Sequence, residues 1–312
     1  MEWVELLNME YGECVVLGGK NRSILMVDCG SVSQKLREGD VPLDAWVETI
    51  AARYESSLDR YFLLTHYHRD HLSGFQKILE RHPGYFTRVF LPRLPQDRRG
   101  SLPFLEFALF AYLFLPPQSD AFQVNTWCVR AFRSLEKSLG ADRIFTVGAG
   151  DVFHFDGVDY QVLWPQKQEY PFDPMLLSAL ESLNVLFASP FQPQCVKRFM
   201  ELKAKFLSMY QQCAEEFSVS GRALPDQRRA SLEQLNGFLE ELEGLREELN
   251  VSPEAHDARE LLQNPLNAGA YSNGINGASV VFQNVRQGGP GEQDLLMTGD
   301  ATPETLSALA DQ

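Results

Sequence analysis

Thr65 to Gly74 reads THYHRDHLSG and follows directly on the apolar run Tyr61 to Leu64. A short run rich in aromatic and aliphatic residues reads as a buried strand, and from about Leu72 the spacing turns helical. The motif therefore occupies a strand-to-helix turn. It gathers His66, His68, Asp70 and His71, and three of the chain's six histidines are among them. Imidazole nitrogens with a carboxylate are the donors that hold zinc or a similar divalent ion. Extended backbone directs His66 and His68 to one side. Asp70 and His71, at the turn into the helix, face a second position, so the spacing suits two neighbouring metals better than one.

Upstream, Trp3 to Met9, Glu13 to Leu17 and Ser23 to Cys29 are β-rich runs punctuated by Gly12 and Gly18-Gly19, the pattern of an antiparallel meander. A helix is expected over Leu43 to Ser56. Downstream, Arg88 to Leu91 reads as a strand, two helices fill Leu102 to Leu139, and Arg143 to Val147, Asp151 to Phe155 and Tyr160 to Leu163 return to strand. Between 166 and 268 the character changes. Phe199, Leu202, Phe206, Met209 and Cys213 step by three and four, as do Leu232, Leu235, Leu239 and Leu242. That predicts two long antiparallel helices joined at Ser218 to Asp226, an acidic arm that packs on itself or meets a partner. Strands resume at Ser279 to Asn284 and Asp294 to Thr298, and a helix capped by Thr302 follows to Ala310. The helical stretch is thus expected to interrupt one domain, formed by 1–165 and 269–312.

An HxHxDH sequence after a strand resembles the metallo-β-lactamase superfamily. Gly12 to Ser31 (GECVVLGGKNRSILMVDCGS) is similar to that family's first hairpin. VLWP (Val162 to Pro165), NGAS (Asn276 to Ser279) and LLMTGDA (Leu295 to Ala301) resemble the branch that includes the hydrolase domain of competence DNA-uptake channel proteins. The resemblance implies an α/β fold, a four-layer αββα sandwich, here carrying a helical-hairpin insertion. By position it implies that His66 and His68 serve a first metal site, that Asp70 and His71 serve a second, and that Asp300 bridges them. Asp28 is implied to support these ligands from behind, with Asp70 also placed in catalysis. One or two divalent ions follow, zinc first and manganese as the alternative. Their role would be to activate a hydroxide for attack on a phosphorus or carbonyl centre.

Two features depart from that pattern. The family's further histidine before the second half of the sheet has only His82 and His154 to supply it. His82 sits at a helix end and His154 on the solvent side of a strand, and His256 lies within the helical segment. After Asp300 another strand and a last histidine are expected, yet none of the remaining residues is His. The expectation is a fold incomplete at its carboxyl end, completed by a longer product or a second fragment.

Composition limits the substrate. The chain has 312 residues and a net charge of −14, so its overall field does not draw nucleic acid or anionic membrane. The exception lies close to the motif: Arg69 within it, then Arg88, Arg93, Arg98 and Arg99 against the single acid Asp97. Guanidinium groups recognise phosphate oxygens in pairs, so a nuclease or phosphodiesterase acting on a phosphodiester or nucleotide is the first expectation. A lactone or thioester hydrolase is the alternative within the enzymes. From another class comes a degenerate scaffold whose helical insertion binds a partner protein. Five cysteines without a CxxC spacing read as reduced thiols. Met1 to Tyr11 lacks the basic and apolar regions of a secretory signal. The apolar run Leu102 to Pro117 is too short for a bilayer and reads as a buried helix. A cytoplasmic protein with no membrane partner is expected.

Overall fold

A computed structural model describes residues 1–32, 43–116, 124–167, 170–188, 193–285 and 294–310. Six strands form the first sheet, in spatial order identical to chain order: β1 (Trp3–Leu6), β2 (Val15–Gly18), β3 (Ser23–Val27), β4 (Asp59–Leu63), β5 (Arg88–Pro92) and β6 (Ile144–Val147). The first three are antiparallel, the expected meander, while β3 to β6 run parallel. Parallel neighbours need crossovers, and helices supply them. These are α1 (Leu43–Arg53) after β3, α2 (Arg69–Arg81) after β4, and α3 (Pro103–Phe114) with α4 (Trp127–Leu139) after β5.

The second sheet is antiparallel, ordered β10 (Leu296–Met297), β9 (Val281–Asn284), β8 (Val158–Trp164), β7 (Val152–Phe155). Alternation along the central strands explains why the two sheets stack. Leu25 and Val27 of β3, Leu63 of β4 and Phe90 of β5 face one way and pack with Phe153, Phe155, Tyr160, Val162 and Phe282 of the second sheet. Ile24, Met26, Phe62, Val89 and Leu91 face the other way and pack under the helices. A strand buried on both faces is apolar almost throughout, and β3 reads SILMV, apolar from Ile24 onward. The outcome is the α/β sandwich expected from the sequence.

Between β8 and β9 stand α5 (Pro174–Leu186), α6 (Gln194–Glu216), α7 (Pro225–Gly244), α8 (Arg246–Asn250), α9 (Glu254–Gln263) and α10 (Pro265–Gly277). The two long helices expected here are α6 and α7, and they pack on each other. They do not stand clear of the rest. Phe199 lies 5.6 Å from Phe110 of α3, and Tyr210 lies 5.3 Å from Phe132 of α4, ring centre to ring centre. The connection between α6 and α7 docks on the edge of the first sheet, where Val219 N–H donates to Thr146 O and Thr146 N–H donates to Phe217 O. The carbonyls at the end of α3, Leu113, Phe114 and Leu115, accept from Asn250, Arg259 and Arg246. The apolar stripes thus close one continuous core with α3 and α4. Helix α3 itself is buried on nearly every face. Among the described residues no helix is long and apolar enough to cross a membrane. Chain order ends in α11 (Pro303–Ala310), whose first turn is capped by Thr302 Oγ1 accepting from Thr305 N–H.

Candidate metal centre

The site forms where β3 and β4 end and α2 begins. Asp28 follows β3 with φ of 57°, a left-handed conformation that non-glycine residues rarely adopt. It is 1% exposed and spends both carboxylate oxygens on its neighbours. Oδ1 accepts from Thr65 N–H at 2.7 Å, and Oδ2 accepts from Thr65 Oγ1 at 2.6 Å and lies 2.9 Å from His71 Nδ1. The Thr65 hydroxyl, its proton given to Asp28, accepts from His66 Nδ1 at 3.0 Å, and Ser279 Oγ lies 3.2 Å from the same nitrogen. One buried carboxylate therefore holds His71 directly and His66 through Thr65. Both imidazoles are pinned by Nδ1, and both present Nε2.

One ring nitrogen each of His66 and His71 and a carboxylate oxygen of Asp300 lie within 4.8 Å of one another. His71 Nε2 is 3.5 Å from Asp300 Oδ2 and 3.9 Å from Asp70 Oδ2. His66 Nε2 is buried and has no hydrogen-bond partner. A buried polar atom without a partner is costly, and a metal ion is the partner this donor set fits: imidazole nitrogens converging with a carboxylate. Gly299 delivers Asp300. Its φ is 49°, and a Cβ there would stand 2.9 Å from the Thr65 side chain, so the strand end presses against the histidine turn with no room for a larger residue.

Charge is distributed unevenly around this point. Burial first, then the charges of His71 and His68, hold the His66 imidazole well below its usual pKa, so it is neutral. Burial also pushes His71 down, but the charge and hydrogen bond of Asp28, followed by those of Asp300, outweigh it and raise His71 to about 11. Asp300 is lowered, chiefly by its hydrogen bond to His71. Without a metal, His71 is an imidazolium between two carboxylates; metal binding would displace its Nε2 proton.

His68 and Asp70 stand one step apart from this cluster. His68 Nε2 meets Ser272 Oγ of α10 at 3.1 Å, and its ring lies 4.8 Å from that of His66. Asp70, in the first turn of α2, keeps its side chain 35% exposed at the mouth of the site. The arginines separate. Arg69 precedes Asp70 on an exposed face. Arg88 opens β5, at the sheet end opposite the histidines, with its guanidinium 5.1 Å from the centre of the Tyr61 ring. Arg93 is committed to Asp151 Oδ2 at 2.6 Å and Ser218 Oγ at 3.1 Å. Arg98 and Arg99 occupy an exposed turn closed by Asp97. His82 pairs with Glu48 and His154 with Asp159, both away from the cluster.

Several site residues were given no role in the sequence, whether they lie inside its motifs or, like Ser272, outside them. Glu13 approaches His71 Nδ1 to 3.5 Å. Burial, then the charge of Asp28 and, more weakly, those of Asp300 and Asp70, raise its carboxyl above the usual range against the pull of His71. Thr65, Ser279 and Ser272 are the others. Beside Glu13 a Cβ on Gly12 would meet Gly30 O at 2.0 Å and Asp70 O at 2.7 Å, so this hairpin is crowded against the α2 start.

No family model matches the chain, and no curated protein matches it. Among solved structures it is similar to MEM-A1, a subclass B3 metallo-β-lactamase isolated from a soil metagenome library. Identity is 12% and the TM-score 0.25, over 78% of this chain and 94% of that one. The reading of the site rests on its residues rather than on that likeness.

Proposed function

We propose that this chain is a metal-dependent hydrolase of the metallo-β-lactamase type, and that phosphodiesters are its substrate class. The observation that carries the first part is His66 Nε2, buried without a partner in a residue that converges with His71 and Asp300. His66, His71 and Asp300 would hold the ion, with His68 and Asp70 beside them. When bound, zinc or manganese supplies a Lewis acid and lowers the pKa of water.

The protein's own contributions follow from the geometry. Asp28 fixes which nitrogen each of two imidazoles offers. Asp70, partly exposed at the mouth, is the carboxylate able to take a proton from water and return it to a leaving group. Helix α2 begins at the site, with Arg69 in its first turn, and a helix N-terminus favours an anionic group. Arg88 and Arg93 are not part of this proposal, because one lies at the far end of the sheet and the other is engaged by Asp151.

Metal titration followed by calorimetry tests the reading, with hydrolysis of bis(p-nitrophenyl) phosphate, single-stranded DNA, a lactone and a thioester as the activity panel. The wild type should bind zinc or manganese and cleave the phosphodiesters, and the pair of substitutions His66→Ala and Asp300→Ala should abolish both. A wild type that binds neither metal would overturn the reading in favour of a scaffold. Cleavage of the lactone or thioester alone would overturn only the substrate class.

A further inference from the structure

Three segments meet behind His71. The turn before β2 brings Glu13, the end of β3 brings Asp28, and the start of α2 brings His71 itself. Glu13 N–H donates to Asp70 O at 3.1 Å, and Glu13 O accepts from Gly30 N–H at 3.1 Å, so its backbone is bonded to both of the other segments. A Cβ on Gly30 would stand 2.6 Å from the Asp70 carbonyl carbon, so the segments sit as close as their backbones permit. The register of β2 with β3 also slips here. Val15 stands opposite Val27, yet Gly30 N–H donates to Glu13 O, which leaves Asp28 and Cys29 together opposite Cys14. One extra residue in a strand re-aims the side chains beside it. As a result one carboxylate oxygen each of Glu13 and Asp28 and a ring nitrogen of His71 lie within 4.8 Å of one another. Glu13 Oε2 is 3.5 Å from His71 Nδ1, the nitrogen that Asp28 Oδ2 meets at 2.9 Å. At that longer distance Glu13 acts by its charge rather than by a hydrogen bond.

We propose that Glu13 is a positioning residue of the metal centre, a second carboxylate behind His71 whose charge strengthens that imidazole as a ligand. The inference rests on the metal-hydrolase reading above. A ligand imidazole offers one nitrogen to the ion and keeps its proton on the other, and negative charge at that proton makes the ring a better donor. Asp28 takes the hydrogen bond but divides its oxygens between Thr65 and His71. Glu13, with its side chain 47% exposed, adds a second negative charge on the same side of the ring. Carboxylates held this close repel one another in the absence of a cation. Burial and the charges of Asp28, Asp300 and Asp70 outweigh the attraction of His71 for Glu13. The empty centre is therefore held at a cost that a bound ion relieves.

The test uses the full chain and compares wild type, Glu13→Gln and Glu13→Asp by zinc and manganese calorimetry, with thermal unfolding of the metal-free forms. Glu13→Gln keeps the size of the side chain and removes its charge. Affinity should fall about tenfold, the low end of the range for groups that support a ligand, because solvent screens a half-exposed carboxylate. The metal-free unfolding temperature of Glu13→Gln should equal or exceed that of wild type. Glu13→Asp keeps the charge and should recover most of the affinity. In the zinc-loaded chain with isotope-labelled histidine, the His71 Nδ1 proton resonance should move upfield in Glu13→Gln. Unchanged affinity in Glu13→Gln, or a loss of affinity joined to a lower metal-free unfolding temperature, would overturn the inference and leave the metal reading standing. A wild type that binds neither metal would overturn both.

Discussion

Asp28 is a buried carboxylate with both oxygens engaged. It accepts from Thr65 twice and from His71 once, and it does so from a left-handed backbone that costs of order 1–3 kcal/mol and must be held by its surroundings. Asparagine keeps the shape but trades one acceptor oxygen for a donor, so Asp28→Asn must break at least one of these bonds. Metal affinity should fall about 10–100-fold, with far-ultraviolet circular dichroism unchanged; unaltered binding in a calorimeter would show that the carboxylate only shapes its turn. At this scale the sequence was informative where chemistry is rare. Histidines in dense spacing and an aspartate after glycine singled out His66, His71 and Asp300, and the fold brings these three together. The hydroxyls of Thr65, Ser272 and Ser279 gave no comparable sign, because serine and threonine are common and their roles here depend on contacts between distant segments.

Among the elements, α3 and α6 show how the helical segment is tied down. Lys203 of α6 and Glu106 of α3 form an ion pair with side chains 6% and 11% exposed, and Asn184 of α5 donates to the same Glu106 oxygen at 3.0 Å. Removing one partner strands a buried charge. Lys203→Ala should cost about 3–5 kcal/mol in urea unfolding, whereas Lys203→Met with Glu106→Leu should come close to neutral. A loss below about 1 kcal/mol for the single change would mean that water reaches the pair. Apolar spacing made α6 and α7 legible, since each buries one stripe. It did not reveal α8, which is short, or α9 and α10, whose buried faces mix alanine, asparagine and glycine with few large apolar residues. Nor could spacing show what the stripes face, and the expected arm proved to share its core with α3 and α4.

For the whole molecule, the two sheets are latched at one end by a single carboxylate. Asp156, between β7 and β8, accepts from Lys20 N–H and Asn21 N–H in the turn between β2 and β3 and from Ser23 Oγ at the start of β3. Partial burial pushes its pKa up, but those hydrogen bonds together bring it below the usual carboxylate value. A depressed folded-state pKa gives stability that is complete above the unfolded value of about 3.9 and is lost as pH falls through the folded one. The gap in thermal midpoint between wild type and Asp156→Ala should therefore be widest at neutral pH and shrink toward about pH 2; a constant gap would assign the latch to packing. The layer architecture was readable from alternation and crossovers. This latch was not, since it joins turns that only the stacked sheets bring together.

The pairing of β8 with β9 has a temporal side. These strands are neighbours in the second sheet, yet all of α5 to α10 lies between them in the chain. Contacts closed across so long a loop form slowly, because the entropy of closure is lost before the pairing returns anything. Ser272 and Ser279 lie near the end of that loop and Asp300 beyond it, while the histidines of the centre precede it. The centre is therefore assembled late, from the two halves of the polypeptide, and ion uptake during refolding would report completion of the last long-range pairing.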